Sequence, residues 1–483
     1  MQPTTMKRVP VLVAAIAAVV CAFVAMVTVT RTALAVPQYS AQAGRTCDSC
    51  HILPGNWETP KLAHQKRNMS CGTCHIDPSG GGMRTASGRY FGRSTLPMIA
   101  TSPRPQDDWD RNFPGLGRHD KATPYNSALP EGPKNMGEAP AYRDSLHDKW
   151  AWGSPKGITP DTPFPGRHYK LNNDPMLRVG GDFRFAFLFA PGKTLAFPMQ
   201  LDVNTAVHPV HHATVLMNVG ARGQSSGYSD TIDDSHTPYF RELFAMTNEW
   251  PYQAYAKAGR FVPAFGLKLD DHTTRTRREF ELDTSLPETR VLGVEAGFVA
   301  AAPFFQASYF KMKSKFEAPD QWDIFDVDNG WGTAFNAGWR DLGWSLGGSA
   351  LLRRRSLDEG GDTDTYAVYG SFNPWYFRQH IPLILQGEID TGSTQRASGL
   401  QQHKLVMYGE ADWMAWNGVT LLAAYDWADP DRDVIDDESG RLQLGAQITV
   451  YPGVTLDSRF RFLSVATPDG NGTDFFTQLH LWF

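Results

Sequence analysis

From Met176 onward the chain runs in segments of about ten residues in which apolar and polar side chains alternate. Successive side chains of a strand point to opposite faces, so such a run is a strand with one apolar and one polar face. Leu177, Val179, Phe183, Phe185, Phe187 and Phe189 share one parity, and Arg178, Asp182 and Arg184 hold the other. Phe197, Met199, Leu201 and Val203 alternate with Gln200, Asp202 and Asn204. Leu442, Leu444, Ala446, Ile448 and Val450 alternate with Gln443, Gln447 and Thr449, and Leu456, Phe460 and Phe462 face away from Asp457, Arg459 and Arg461. A water-soluble sandwich buries an apolar face too, so alternation alone leaves two architectures open.

The connections decide between them. The pattern predicts 16 strands, starting near 177, 195, 213, 239, 253, 290, 303, 331, 343, 364, 380, 402, 417, 441, 453 and 473, with 14 and 18 as neighbouring even counts. Long connections at 223–238, 267–288, 314–330, 354–363, 391–401, 426–440 and 464–472 alternate with short ones at Pro251-Tyr252, Ala301-Ala302, Arg340–Leu342, Trp416–Gly418 and Tyr451–Gly453. Pro191–Lys193 and Asn373–Gln379 depart from the rule. Short turns on one rim, long loops on the other and an even strand number describe a transmembrane antiparallel β-barrel. The terminal Leu481-Trp482-Phe483 resembles the assembly signal of bacterial outer-membrane proteins.

Inward charges would line a polar lumen, and a barrel of this size leaves an aqueous channel. The long loops carry Asp230, Asp233 and Asp234, then Asp320, Asp323, Asp326 and Asp328, then Asp429, Asp431, Asp433, Asp436, Asp437 and Glu438. These acids read either as solvated loops or as an attraction for cations such as ferrous ions. His208, His211 and His212 fall in a predicted short turn, as an exposed turn, as ligands to a haem iron or as a docking point for a cytochrome segment.

Composition places the rest. The 483 residues are 41% hydrophobic with 44 glycines, which excludes a disordered chain. A formal charge of −5, with no basic run beyond the first residues and Arg353-Arg354-Arg355, argues against nucleic acid as a partner. Lys7 and Arg8, the apolar run from Val9 to Thr30 and the small-residue site Ala33-Leu34-Ala35 predict a signal peptide over 1–35, with an uncleaved anchor helix as the other reading. The segment 36–100 is then the first mature unit, 101–175 a Pro-rich linker with 12 prolines, and 176–483 the porin-like barrel.

Of five cysteines, Cys21 lies in the signal segment, and the other four form Cys47-Asp48-Ser49-Cys50-His51 and Cys71-Gly72-Thr73-Cys74-His75. Both match C-x-x-C-H, the attachment motif of c-type haem. On one helical turn, positions i and i+3 share a face, so both thiols reach the vinyl groups of one porphyrin. The next residue brings its imidazole to the iron as proximal ligand. Two covalently bound haem c groups follow, with His51 and His75 on their irons. A zinc ribbon, a redox dithiol and structural disulfides are the other readings of paired cysteines, and none needs the two histidines. A segment this short lacks a conventional core, so the porphyrins would organise it. His64 is the candidate distal ligand between the motifs; Met83 is a further one for the other iron, beside Met69, Met98 and His119.

The haem motifs, the stretch Gly80-Gly81-Gly82-Met83-Arg84 to Gly88-Arg89-Tyr90-Phe91-Gly92 and the terminal barrel together resemble the cytochrome c–porin fusions of the bacterial outer membrane, including the iron-oxidising type. The resemblance covers most of the chain in architecture, and only the haem motifs carry it residue by residue. Iron-oxidising fusions typically have one such motif, and this chain has two. The resemblance implies electron transfer across the outer membrane within one polypeptide. Its partners would be periplasmic c-type cytochromes, outer-membrane lipid and an extracellular donor or acceptor, iron among them. The protein would be an electron carrier rather than an enzyme, its haem segment periplasmic or inside the lumen. A diffusion porin with a haem-containing plug or redox sensor is the alternative.

Overall fold

The computed structural model describes residues 75–78, 80 and 82–84, and 177–483 apart from stretches within the connections between strands. Sixteen strands form the barrel. The first eight are β1 (Leu177–Ala190), β2 (Lys193–Val210), β3 (Ala213–Ala221), β4 (Tyr239–Trp250), β5 (Ala254–Phe261), β6 (Val291–Val299), β7 (Pro303–Lys311) and β8 (Trp331–Arg340). They continue as β9 (Trp344–Arg354), β10 (Thr363–Phe372), β11 (Leu383–Gln395), β12 (Gln401–Trp416), β13 (Val419–Asp429), β14 (Ser439–Tyr451), β15 (Val454–Val465) and β16 (Gly472–Trp482). Each pairs antiparallel with its sequence neighbours, and β1 pairs with β16 from Asp182↔Trp482 to Phe189↔Phe475. Closure leaves no edge with unpaired backbone groups, the condition for a sheet in hydrocarbon.

The predicted parity holds. In β1, Arg178 and Arg184 are buried while Leu177, Val179, Phe187 and Phe189 are exposed. In β2, Gln200, Asp202 and Asn204 are buried and Val203 is exposed. The molecule is therefore inverted relative to a soluble sheet: polar side chains turn inward, and the outer wall is apolar. Exposed Trp250, Trp416 and Tyr451 stand at the short-turn rim, each beside a shift in strand register. Bulges of this kind end pairing and re-aim side chains at barrel rims.

Three boundaries differ from expectation. β11 runs on to Gln395, so the connection to β12 is 396–400 rather than 391–401. β13 runs to Asp429, which belongs to a strand end and not to an acidic loop. His208 lies within β2, where its Nδ1 meets the Thr214 hydroxyl at 2.9 Å, so it is not a turn residue. In all three, cross-strand pairing extended the strands through residues whose polarity suggests a loop.

The turn between β14 and β15 needs its glycine. Gly453 has φ +81°, its carbonyl accepts the Trp482 N–H at 2.8 Å, and a Cβ there would lie 2.1 Å from the Trp482 carbonyl oxygen. Gly453→Ala is expected to cost about 1–2 kcal/mol from the left-handed backbone alone, with the close contact added. A urea midpoint unchanged from the parent protein would refute this.

Candidate functional site in the barrel lumen

The lumen wall has two characters. Over β3–β9 the inward positions include apolar Leu216, Phe244, Met246, Phe261, Phe310 and Leu351, all buried in one cluster. Elsewhere the inward side chains are paired charges. Arg241 holds Asp202 at 2.8 Å, Arg441 holds Asp426 at 2.7 Å and Arg459 holds Asp457 at 2.7 Å. Inward charges line a polar lumen as the sequence leads one to expect, and the apolar sector is an addition to it.

The connection between β5 and β6, which the sequence assigns to an outer loop, turns into the barrel instead. Its Phe265, Leu267, Phe280 and Leu282 are buried. It contains one helical turn, α1 (Arg275–Arg278). Polar groups fix it to the facing wall: Arg277 Nη2 lies 3.2 Å from Glu388 Oε2, and Arg275 Nε lies 3.4 Å from Asp426 Oδ1. Arg353 donates to the Phe280 carbonyl at 2.7 Å and Lys404 to the Glu279 carbonyl at 2.8 Å. Burial lowers the Arg275 pKa from the ordinary guanidinium value, and Asp426 opposes that shift. At Gly266, φ is +55° and a Cβ would fall 1.8 Å from Glu388 Oε1, so only glycine lets the backbone lie against that carboxylate.

A second element is the short hairpin that follows the second C-x-x-C-H motif. His75 pairs antiparallel with Arg84, and the Ile76 N–H donates to the Met83 carbonyl at 2.9 Å. The turn is closed by the Gly80 N–H donating to the Asp77 carbonyl at 2.9 Å. Ile76 and Met83 are buried in the same apolar cluster as Phe244, Phe261 and Phe310. Directly paired residues share a face, so Ile76 and Met83 occupy one side of the hairpin and His75 and Arg84 the other. The Arg84 guanidinium stacks 3.5 Å from the centre of the Trp482 ring.

Asp77 connects the hairpin to the wall. Its Oδ2 lies 3.2 Å from Lys257 Nζ, which also lies 3.0 Å from Glu295 Oε1. The Tyr255 hydroxyl donates to Glu295 at 2.6 Å and the Ser308 hydroxyl at 2.7 Å. Gln306 donates to the Tyr255 oxygen at 2.7 Å, Asn336 to Gln306 at 3.1 Å, and Ser349 to Asn336 at 2.9 Å. The Gly266 N–H then donates to Ser349 at 2.9 Å. One run of hydrogen bonds across β5–β9 thus joins the hairpin to the inward connection.

Of the site residues read from sequence, His75 and Met83 fall within this arrangement. Cys47, Cys50, His51, His64, Cys71 and Cys74 lie outside the described residues, as do the segments 1–35 and 101–175, His211, His212, the acids of 230–234 and Asp320, Asp323, Asp326 and Asp328. The described part of the second motif fits a haem-bearing segment. His75 lies with Arg84 on the hairpin face opposite Ile76 and Met83, and the face carrying Ile76 and Met83 rests on an apolar wall. Lys257 and Glu295 were missed in the sequence. The available signal was a lone inward charge between small or apolar outward neighbours, Ala256-Lys257-Ala258 and Val294-Glu295-Ala296, on strands next to each other.

No family model matches the chain. No curated protein matches it either. Among solved structures, it is similar to the outer-membrane expressed OmpT of Vibrio cholerae at 9% identity and a TM-score of 0.46, covering 64% of this chain and 97% of that one. It is also similar to OprB of Pseudomonas putida, at 9% identity and a TM-score of 0.47 over 64% and 94% of the two chains. An anion-selective porin from Comamonas acidovorans is 12% identical, with a TM-score of 0.46 over 63% of this chain and 98% of that one.

Proposed function

We propose that the protein carries electrons across a bacterial outer membrane, as a dihaem c-type cytochrome fused to a porin-like barrel. The observation that carries this reading is the seating of the hairpin directly after Cys71–His75 among buried side chains of the lumen. The apolar outer wall with its aromatic rim supports a position in lipid. Bound iron porphyrin supplies one-electron exchange, with potentials set by the axial ligands and by burial.

The chain's own residues hold and shield that chemistry. Cys47 and Cys50, and Cys71 and Cys74, would tether the two porphyrins, and His51 and His75 would hold their irons. His64 is the distal candidate between the motifs. Met83 would be a further distal candidate, for the other iron. The inward connection and the hairpin exclude water from the apolar sector of the lumen. Periplasmic c-type cytochromes are the partners at the short-turn rim. An extracellular donor or acceptor, iron among them, meets the long-loop rim, where Asp431–Glu438 favour cations. One electron enters at one rim and one leaves at the other, with no net chemistry on the protein.

Liposomes containing the purified protein and an enclosed acceptor are expected to pass electrons from an external reductant. His75→Ala is expected to slow this at least about tenfold, the loss of one iron ligand. Equal transfer by a variant with serine at Cys47, Cys50, Cys71 and Cys74 would sink the proposal. The polar remainder of the wall favours a second reading, a diffusion porin with a haem-containing plug or redox sensor. High conductance in planar bilayers, indifferent to redox state, is its signature.

A further inference from the structure

We infer that Lys257 is the positioning residue that seats the second haem-binding segment inside the barrel, in the half of the lumen nearest the short turns. This rests on the proposed reading of Cys71–His75 as a haem motif. Lys257 is 2% exposed, and an ammonium so buried persists only when paired. Glu295 supplies one carboxylate from the wall, held in place by Tyr255 and Ser308. The second carboxylate, Asp77, comes from a segment far away in sequence, two residues after His75. The Lys257 stem and ammonium also lie over Phe244 and Phe261, with Nζ 5.3 and 4.6 Å from the ring centres.

Two further contacts fix the same hairpin independently of that ion pair. Ile76 and Met83 pack into the apolar sector, and Arg84 stacks on Trp482. Lys257 is the fourth residue of β5, counted from the short turn before Ala254, and Trp482 is the last residue of β16. Both anchors therefore mark one end of the barrel. A charge-paired anchor, an apolar cushion and a stacked cation hold the hairpin so that His75 lies on the face opposite the apolar sector. The occupant of the apolar sector is this chain's own second haem segment.

The test uses the full-length protein purified with its haems, in wild-type form and as Lys257→Met, Lys257→Arg and Asp77→Asn. Haem count by pyridine haemochrome, potentiometric titration and bilayer conductance are read on the same samples. Lys257→Met is expected to raise conductance several-fold and to change the redox equilibrium of one of the two haems about tenfold, about 59 mV for one electron. The other haem should keep its midpoint. Lys257→Arg should restore both readings, and Asp77→Asn should move them in the same direction as Lys257→Met. Should Lys257→Met fail to fold, Asp77→Asn carries the test, because Asp77 belongs to no barrel strand. Two haems with unmoved midpoints and unmoved conductance in the loss-of-charge variants would overturn the seat and leave the proposed function standing. A colourless protein would overturn both.

Discussion

Replacing Arg277 by alanine is expected to free the inward connection from the wall and to raise single-channel conductance several-fold. Arg277 is the cation in reach of a doubly acidic site: Glu388 is 1% exposed, Asp390 is 0% exposed, and they are neighbours on the inward face of β11. Breaking a buried ion pair from one side leaves the other charge uncompensated, at a cost of about 3–5 kcal/mol. The connection cannot absorb that cost by shifting slightly, because the Gly266 backbone already lies against the Glu388 carboxylate. The cheapest relief is for the connection to leave, letting water reach the two acids. Limited proteolysis within 268–288 should accelerate in parallel. The double variant Arg277→Met with Glu388→Gln removes both charges together and should return conductance toward the parent value. If Arg277→Ala conducts and resists protease like the parent, the Arg277–Glu388 pair is not what holds the connection.

The second large effect concerns the outer wall. Val368 is 61% exposed near the middle of β10, between Tyr366 and Gly370 on the outward face. On a soluble protein, arginine at such a position changes stability little. In a lipid-embedded barrel, a cation at mid-depth costs about 2–4 kcal/mol. Val368→Arg is therefore expected to destabilise the protein by that amount in phospholipid vesicles, measured by reversible urea unfolding. Ala367→Arg, one residue away and inward, is a control of different origin, since Ala367 is 3% exposed within the packed lumen. A Val368→Arg protein as stable as the parent would remove lipid from the outer wall.

The barrel was readable because its two determinants are local. Side-chain parity is fixed by the strand pleat, and turn length is fixed by the chain between strands. The sixteen strand starts expected from sequence all fall within a few residues of those observed, from Leu177 to Gly472. The inward direction of 262–267 and 274–280 was not readable, because Arg275, Arg277 and Arg278 look the same in a solvated loop as in a lumen. Their direction is set by Glu388 and Asp426, more than a hundred residues later. Lys257 was hidden for the same reason: its counter-charge, Asp77, lies 180 residues earlier. The apolar inner sector escaped because strands with apolar residues on both faces dilute the alternation that marks a barrel strand, as in Phe304-Phe305 and Tyr309-Phe310 of β7.

The pairing of β1 with β16 bears on biogenesis. A cylinder sealed by its first and last strands has no lateral doorway, so whatever occupies its interior came in at an open end or was present when the seam formed. Residues 85–176 separate the hairpin from β1 in the chain, a length that permits either order. On the proposed reading, an attachment apparatus ligates porphyrin at Cys71 and Cys74, and this is expected before the hairpin that follows them is seated. Attachment then precedes seating of the hairpin, whichever side of seam closure the seating falls, and a strain defective in attachment should accumulate closed cylinders whose hairpin carries no porphyrin.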